Sequence, residues 1–208
     1  MVAGAGMTFA VRTLLSAIKK WNYIGATLTT GTTVAFPASP KPGNLAVLVG
    51  SAASAASTPS GWTTLASGAP FHFYKICDGS ESSVTLSVSG VYVLMLFSAQ
   101  GGLAYWSSGT TTTAAGTTTM TAPDTASLLI AAPSVSVPDV LSWTYTLPTT
   151  NAGNIDSVGN HIVVAATTAQ PQIAAVAGSL TPGASTGGMN VQYGSYTHRR
   201  TYAIFGIA

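Results

Sequence analysis

The chain has 208 residues, room for one large domain or two small ones. Seven Lys and Arg and five Asp and Glu make it only 6% charged, while 47% is hydrophobic and Ser and Thr supply about a quarter. This excludes disorder, which needs few apolar residues and a high net charge, and a membrane helix, because runs such as Val91–Phe97 end far short of the ~18 residues required.

In chain order, Met1–Gly6 is made mostly of small residues. Met7, Val11, Leu14, Leu15 and Ile18 then recur at i, i+4, i+7, i+8 and i+11, which predicts a short amphipathic helix over Thr8–Lys20. Such a helix packs on its own domain or reaches a neighbouring subunit as an arm, and both readings stand. The apolar stretch precedes Lys19-Lys20, the reverse of a secretory signal, so no leader is expected.

After Trp21, Thr and Gly clusters alternate with short β-prone runs. Strands are predicted at Ile24–Leu28, Thr32–Phe36, Leu45–Gly50, Phe71–Ile76, Ser83–Ser89 and Tyr92–Ser98. The second half offers Gly116–Thr121, Ser127–Ala132, Ser142–Thr146, Ile162–Thr167, Ile173–Ala177 and Tyr202–Ile207. Ser83–Ser89 alternates polar and apolar, as a half-buried strand does. Leu45–Val49 and Tyr92–Phe97 are continuously apolar, as strands covered on both faces are. Most of the 11 prolines and 22 glycines fall between these runs, in Pro37–Gly43, Pro59-Ser60-Gly61 and Asp78-Gly79 among others.

The expected fold is all-β, a β-sandwich or jelly-roll-like domain over 23–208 behind an N-terminal arm, 1–22. A degenerate repeat divides it into halves of about 23–108 and 109–208. Pro42–Val49 resembles Pro123–Ile130, a Trp follows each (Trp62, Trp143), and each half closes on an apolar strand. The halves are expected to interleave in one sandwich. Part of the Thr-rich tract Gly109–Thr121 is expected to be an edge strand.

Catalysis needs titratable groups gathered in a cleft. Asp78 and Glu81 lie in one turn, where Asp78 suits an Asx-turn and Glu81 a solvated charge. His72 and Tyr74 alternate with Phe71 and Phe73, so a solvent-facing or interface histidine is expected, and His161 reads the same way. No His-x-His or His-Glu-x-x-His spacing occurs, and no Gly-x-Ser-x-Gly elbow stands between a strand and a helix. The single cysteine, Cys77, excludes an internal disulfide and a Cys-based zinc site. No enzyme, cofactor or metal site is expected.

His198-Arg199-Arg200 is the one dense positive cluster. It suits a solvated turn, a charged strand edge or a subunit contact. Seven spread cations make no phosphate groove, so nucleic acid is not an expected partner. Trp21, Trp62, Trp106, Trp143, Tyr105 and Tyr145 could line a sugar-binding face, Trp62, Trp106 and Trp143 above all, though core or interface packing is the plainer expectation.

One succession of motifs is distinctive. Lys41-Pro42-Gly43-Asn44-Leu45 opens a strand ending at Val49. Pro59-Ser60-Gly61-Trp62, Phe73-Tyr74-Lys75-Ile76, Asp78-Gly79-Ser80-Glu81 and the strands Val84–Val88 and Tyr92–Phe97 follow. This resembles a β-sandwich module of tailed-bacteriophage virion proteins and some bacterial surface proteins, over roughly 24–208. Asn44 stands where that family usually has Asp. The motifs identify a scaffold rather than an activity.

The resemblance implies a non-enzymatic virion structural protein, a tail fibre, tip or adaptor subunit that presents a face to the host surface. A capsid decoration protein and a carbohydrate-binding adhesin are the alternatives. The expected partners are other copies of the chain, as a homo-oligomer and specifically a trimer, other virion proteins and a host-surface glycan, with no membrane partner. Candidate assembly contacts are Met7, Val11, Leu14, Leu15, Ile18, Arg199 and Arg200.

Overall fold

The computed structural model describes residues 21–68, 70–111, 118–135, 143–146, 149–150, 162–166, 172–180, 182–186, 190–193 and 199–207. Thirteen strands run in chain order through them. The first five are β1 (Trp21–Ala35), β2 (Leu45–Ala52), β3 (Thr63–Ala66), β4 (Phe71–Ile76) and β5 (Ser83–Ala99). Next come β6 (Leu103–Thr111), β7 (Ser127–Val135), β8 (Trp143–Thr146) and β9 (Thr149–Thr150). The last are β10 (Ile162–Ala166), β11 (Gln172–Leu180), β12 (Asn190–Tyr193) and β13 (Arg199–Ile207). No helix occurs among the described residues. The helix expected over 8–20 lies outside them.

Two antiparallel sheets share one core, in a sandwich-like arrangement. The first has the order β1-β5-β2-β4-β3, and the second β10-β11-β7-β13-β6, with β9 also on β11. A separate ladder joins β12 to β8. The halves therefore do not interleave as expected. Residues 21–99 build the first sheet and the main strands after Leu103 build the second. Consecutive strands stay in one sheet, which is not the sheet-to-sheet alternation of a jelly roll.

Read from its β6 end, the second sheet has the order β6-β13-β7-β11-β10. Numbered among the five strands of that path alone, with β6 counted in the second half, that is first, fifth, second, fourth, third, the same order as in the first sheet. The registers agree as well. Gly50 of β2 pairs with Tyr92 of β5, and Ala131 of β7 pairs with Tyr202 of β13. The stacking is reciprocal too. β5 contacts β11, β2 contacts β7, and β4 meets β13 through side chains.

Alternation places the core. Leu45, Val47, Val49, Val93, Met95 and Phe97 meet Leu128, Ile130, Ala203 and Phe205 between the sheets. The intervening residues Leu48, Leu94, Leu96, Phe71 and Phe73 face outward, yet they are buried under Val34, Ala56, Val84 and Leu86. On the far side, Leu129, Val176, Tyr202 and Ile204 lie under Met120 and Ala122. Each large apolar side chain buried this way contributes about 1.5–3 kcal/mol. That double burial is why β2 and the end of β5 read as unbroken apolar runs, while Ser83–Ser89 keeps its serines exposed or half-exposed.

Four predicted strands merge into two. Thr32–Phe36 continues Ile24–Leu28 as β1, and Ser83–Ser89 continues into Tyr92–Ser98 as β5. The apparent breaks, Gly31 and Gly90, lie opposite each other, and the register shifts just beyond them. A bulge there lets the ends of both strands bring Val34, Val84 and Leu86 over the outer face. β3, β6, β9 and β12 were not expected. Of the Thr-rich tract only Gly109–Thr111 falls in β6, at the edge of the second sheet; the described end of the strand expected at Gly116–Thr121 makes only an isolated bridge, Thr121 to Ser185.

Equivalent turns fasten the two halves. Gly43 N donates to Cys77 O at 2.9 Å, and Cys77 N to Asn44 O at 2.8 Å. In the second half, Gly183 N donates to Pro123 O at 2.7 Å, and Ala122 N to Ala184 O at 3.0 Å. Gly79 (φ 94°) and Gly183 (φ 68°) hold the left-handed conformation. A Cβ on Gly79 would stand 2.8 Å from Pro42 Cδ, and one on Gly183 would stand 2.8 Å from Asp124 Oδ1.

Candidate functional site

His72 is fully buried. It is the second residue of β4, paired with Val49 of β2 and Ala66 of β3. Alternation puts it opposite Phe71 and Phe73, as expected, but its face is the closed space between the sheets. The solvent-facing expectation is thus corrected, because β13 covers this side of β4. Nδ1 lies 3.2 Å from Thr201 Oγ1, which donates to Ala132 O at 3.5 Å. With the Thr201 proton directed to Ala132, Nδ1 is the imidazole donor and Nε2 the bare nitrogen. Nε2 has no hydrogen-bond partner among the described residues. Burial holds the imidazole neutral and lowers its pKa from 6.5 to about 3. The side chain is sealed from solvent.

The Asp78–Glu81 turn is a small ionic cluster. Asp78 Oδ1 accepts Ser80 N at 2.9 Å and also the Ser80 hydroxyl, the expected Asx-turn. Those hydrogen bonds hold Asp78 below the usual carboxylate range. Glu81 is not a solvated charge. Its side chain is 7% exposed, pairs with Lys75 Nζ at 2.8 Å and accepts the Asp78 and Gly79 amides at 3.0 Å each. Burial pushes the Glu81 carboxyl up, but these hydrogen bonds outweigh it and leave the pKa lowered. The hydrogen bond to Glu81 raises Lys75. Burial, with the Glu81 charge beside it, pushes the Cys77 thiol up to about 12. The two carboxylates are committed to the turn and to Lys75, and no third acid or histidine joins them. Among the described residues no group of three His, Cys, Asp or Glu could hold a metal ion.

Asn44 is nearly buried, and its Oδ1 accepts Lys41 N at 2.8 Å. An Asp could accept the same bond only by burying a charge. The neutral amide keeps the turn without that penalty.

The candidate tryptophans Trp62 and Trp106 are not brought together. Trp62 lies beside Phe36 at the outer face of the first sheet, with ring centroids 6.4 Å apart. Trp106 is 53% exposed on β6 of the second sheet, and its Nε1 donates to Thr121 O at 3.1 Å. Trp143 lies on β8, which pairs only with β12 among the described strands. Tyr105, a candidate for the aromatic face, instead joins Tyr74 and Phe205, which the sequence did not offer for that face, in closing the gap between the sheets beside β6. Tyr74 stacks on Tyr105 at 5.8 Å and meets Phe205 edge-on at 5.4 Å. These contacts cross from one half to the other, so no local pattern announces them.

Arg199 and Arg200 open β13, which lies between β7 and β6. They are therefore not on a sheet edge, and Arg200 is buried within the single chain. His161, His198, Asp139, Asp156 and the arm residues Met7, Val11, Leu14, Leu15 and Ile18 lie outside the described residues.

No protein-family model matches the chain, and no curated protein and no solved structure matches it.

Proposed function

We propose that the chain is a non-enzymatic structural subunit of a tailed-bacteriophage virion. Its place is the tail, as a fibre, tip or adaptor subunit, and its partners are copies of itself and other virion proteins. The observation that carries this reading is the motif succession from Lys41 to Phe97, which resembles the virion module turn for turn. The fold gives those motifs a use. Lys41–Asn44 and Cys77–Gly79 are hydrogen-bonded neighbours, and Asp78–Glu81 holds Lys75 of the Phe-Tyr-Lys-Ile strand. A sparsely charged surface suits repeated close packing, since neighbouring copies repel weakly.

The two halves are read here as a degenerate repeat. The common strand order, the matched registers at Gly50–Tyr92 and Ala131–Tyr202, and the paired glycine turns support this. By place in the sheet, β4 of the first half corresponds to β11 of the second.

A carbohydrate-binding role is the second reading. It is favoured by Trp106, an exposed ring whose indole N–H is already anchored. Probing separated heads, tails and free protein with antiserum to the chain tests the proposal. Signal in tails is expected. Signal in heads alone would move the chain to capsid decoration, and signal in neither would overturn the virion reading.

A further inference from the structure

A sheet end exposes unpaired backbone N–H and C=O groups, and most proteins blunt it with charge, proline or brevity. The four ends here differ. β3 has 4 residues and β10 has 5, too short to template much pairing. β6 has 9, and the segment around Thr118–Thr121 lies against its Gly109 and Trp106. β1 has 15 residues, pairs only with β5 among the described strands, and contains no charged residue, histidine or proline. It also displays Ile24 and Leu28, 40% and 44% exposed.

We propose that β1 is a self-association edge, pairing antiparallel with β1 of a second copy about a twofold axis at Leu28. The axis follows from the ladder. Gly25–Gly31 is the unbroken stretch between the two register shifts, and Leu28 is its centre. Pairing there sets Leu28 against the partner's Leu28 and joins two five-stranded sheets into one. Charge favours this occupant. An uncharged strand on a chain of net charge +2 meets only weak repulsion from its own copy, and it offers a charged peptide nothing to pair with. The area also suffices. Fifteen residues at ~3.4 Å each give an edge of about 50 Å. At roughly 10 Å width that buries about 1,000 Å² over both partners, the lower bound for a specific interface. The dimer is therefore concentration-dependent.

This inference rests on the assembly role proposed above, and its test is independent of where the protein sits on a particle. Sedimentation equilibrium of the full chain should show a monomer–dimer equilibrium. Leu28→Lys and Leu28→Glu, both at an exposed position, should each weaken association roughly tenfold or more by setting like charges across the axis. Circular dichroism should show both still folded. Mixing the two variants in equal amounts should restore the dimer through opposite charges, which a misfolded variant could not do. A wild-type chain monomeric up to submillimolar concentration overturns the proposal. So do variants that dimerise like wild type, or a mixture that stays monomeric. Any of these results would leave the virion reading standing if the chain is still found on particles.

Discussion

Tyr92 lies across Gly50 so closely that a Cβ on the glycine would stand 2.1 Å from the ring Cδ1. The two residues are register partners in β2 and β5, and Tyr92 is fully buried, with its hydroxyl donating to Val88 O at 2.9 Å. The ring cannot retreat without breaking that bond and disturbing the outer apolar layer. Gly50→Ala should therefore destabilise the fold by roughly 1–3 kcal/mol, the usual range for overpacking. Urea denaturation measures it. An unchanged midpoint would mean that the tyrosine moves freely.

His72 gives an acid sensitivity with a defined sign. Its folded pKa of about 3 is below the ordinary 6.5, so between these values the unfolded chain binds the extra proton. Its contribution is complete above pH 6.5 and falls as pH drops toward 3, by at most about 1.4 kcal/mol per pH unit. His72→Leu should be less stable at neutral pH, because Thr201 loses its partner. It should also lose less stability than wild type between pH 6.5 and 4.5. Equal slopes in the two proteins would place His72 in contact with water.

Cys77 should be inert. Its thiol is buried and held protonated far above neutral pH. A disulfide-exchange reagent should leave the native chain unmodified and react fully in denaturant. Rapid labelling of the native protein would contradict the packing of Cys77 against the outer core of the first sheet.

Glu81→Gln tests the turn. The variant loses the ion pair with Lys75 but can still accept one backbone amide, so a loss of about 1 kcal/mol is expected. The wild-type contribution is present above the ordinary carboxylate range and disappears as pH falls through the lowered pKa. The stability difference between the two proteins should therefore shrink in acid.

The parts legible in the sequence were those set by local alternation and turn chemistry. Ser83–Ser89 read as half-buried and Leu45–Val49 as covered on both faces, and the structure has them so. The Asx-turn at Asp78 was legible because it closes within three residues. The merging of four expected strands into β1 and β5 was not, because Gly31 and Gly90 look like breaks until they pair with each other. The side on which His72 is covered depends on β13, far along the chain, as does the stack of Tyr74 on Tyr105. Segregation of the halves into separate sheets is likewise a matter of long-range pairing, which alternation alone does not encode.

The most direct test of the virion reading is electron microscopy of intact phage particles carrying a gold-labelled copy of the chain. The account predicts label on the tail at regular positions. Particles free of label on both tail and head would contradict it.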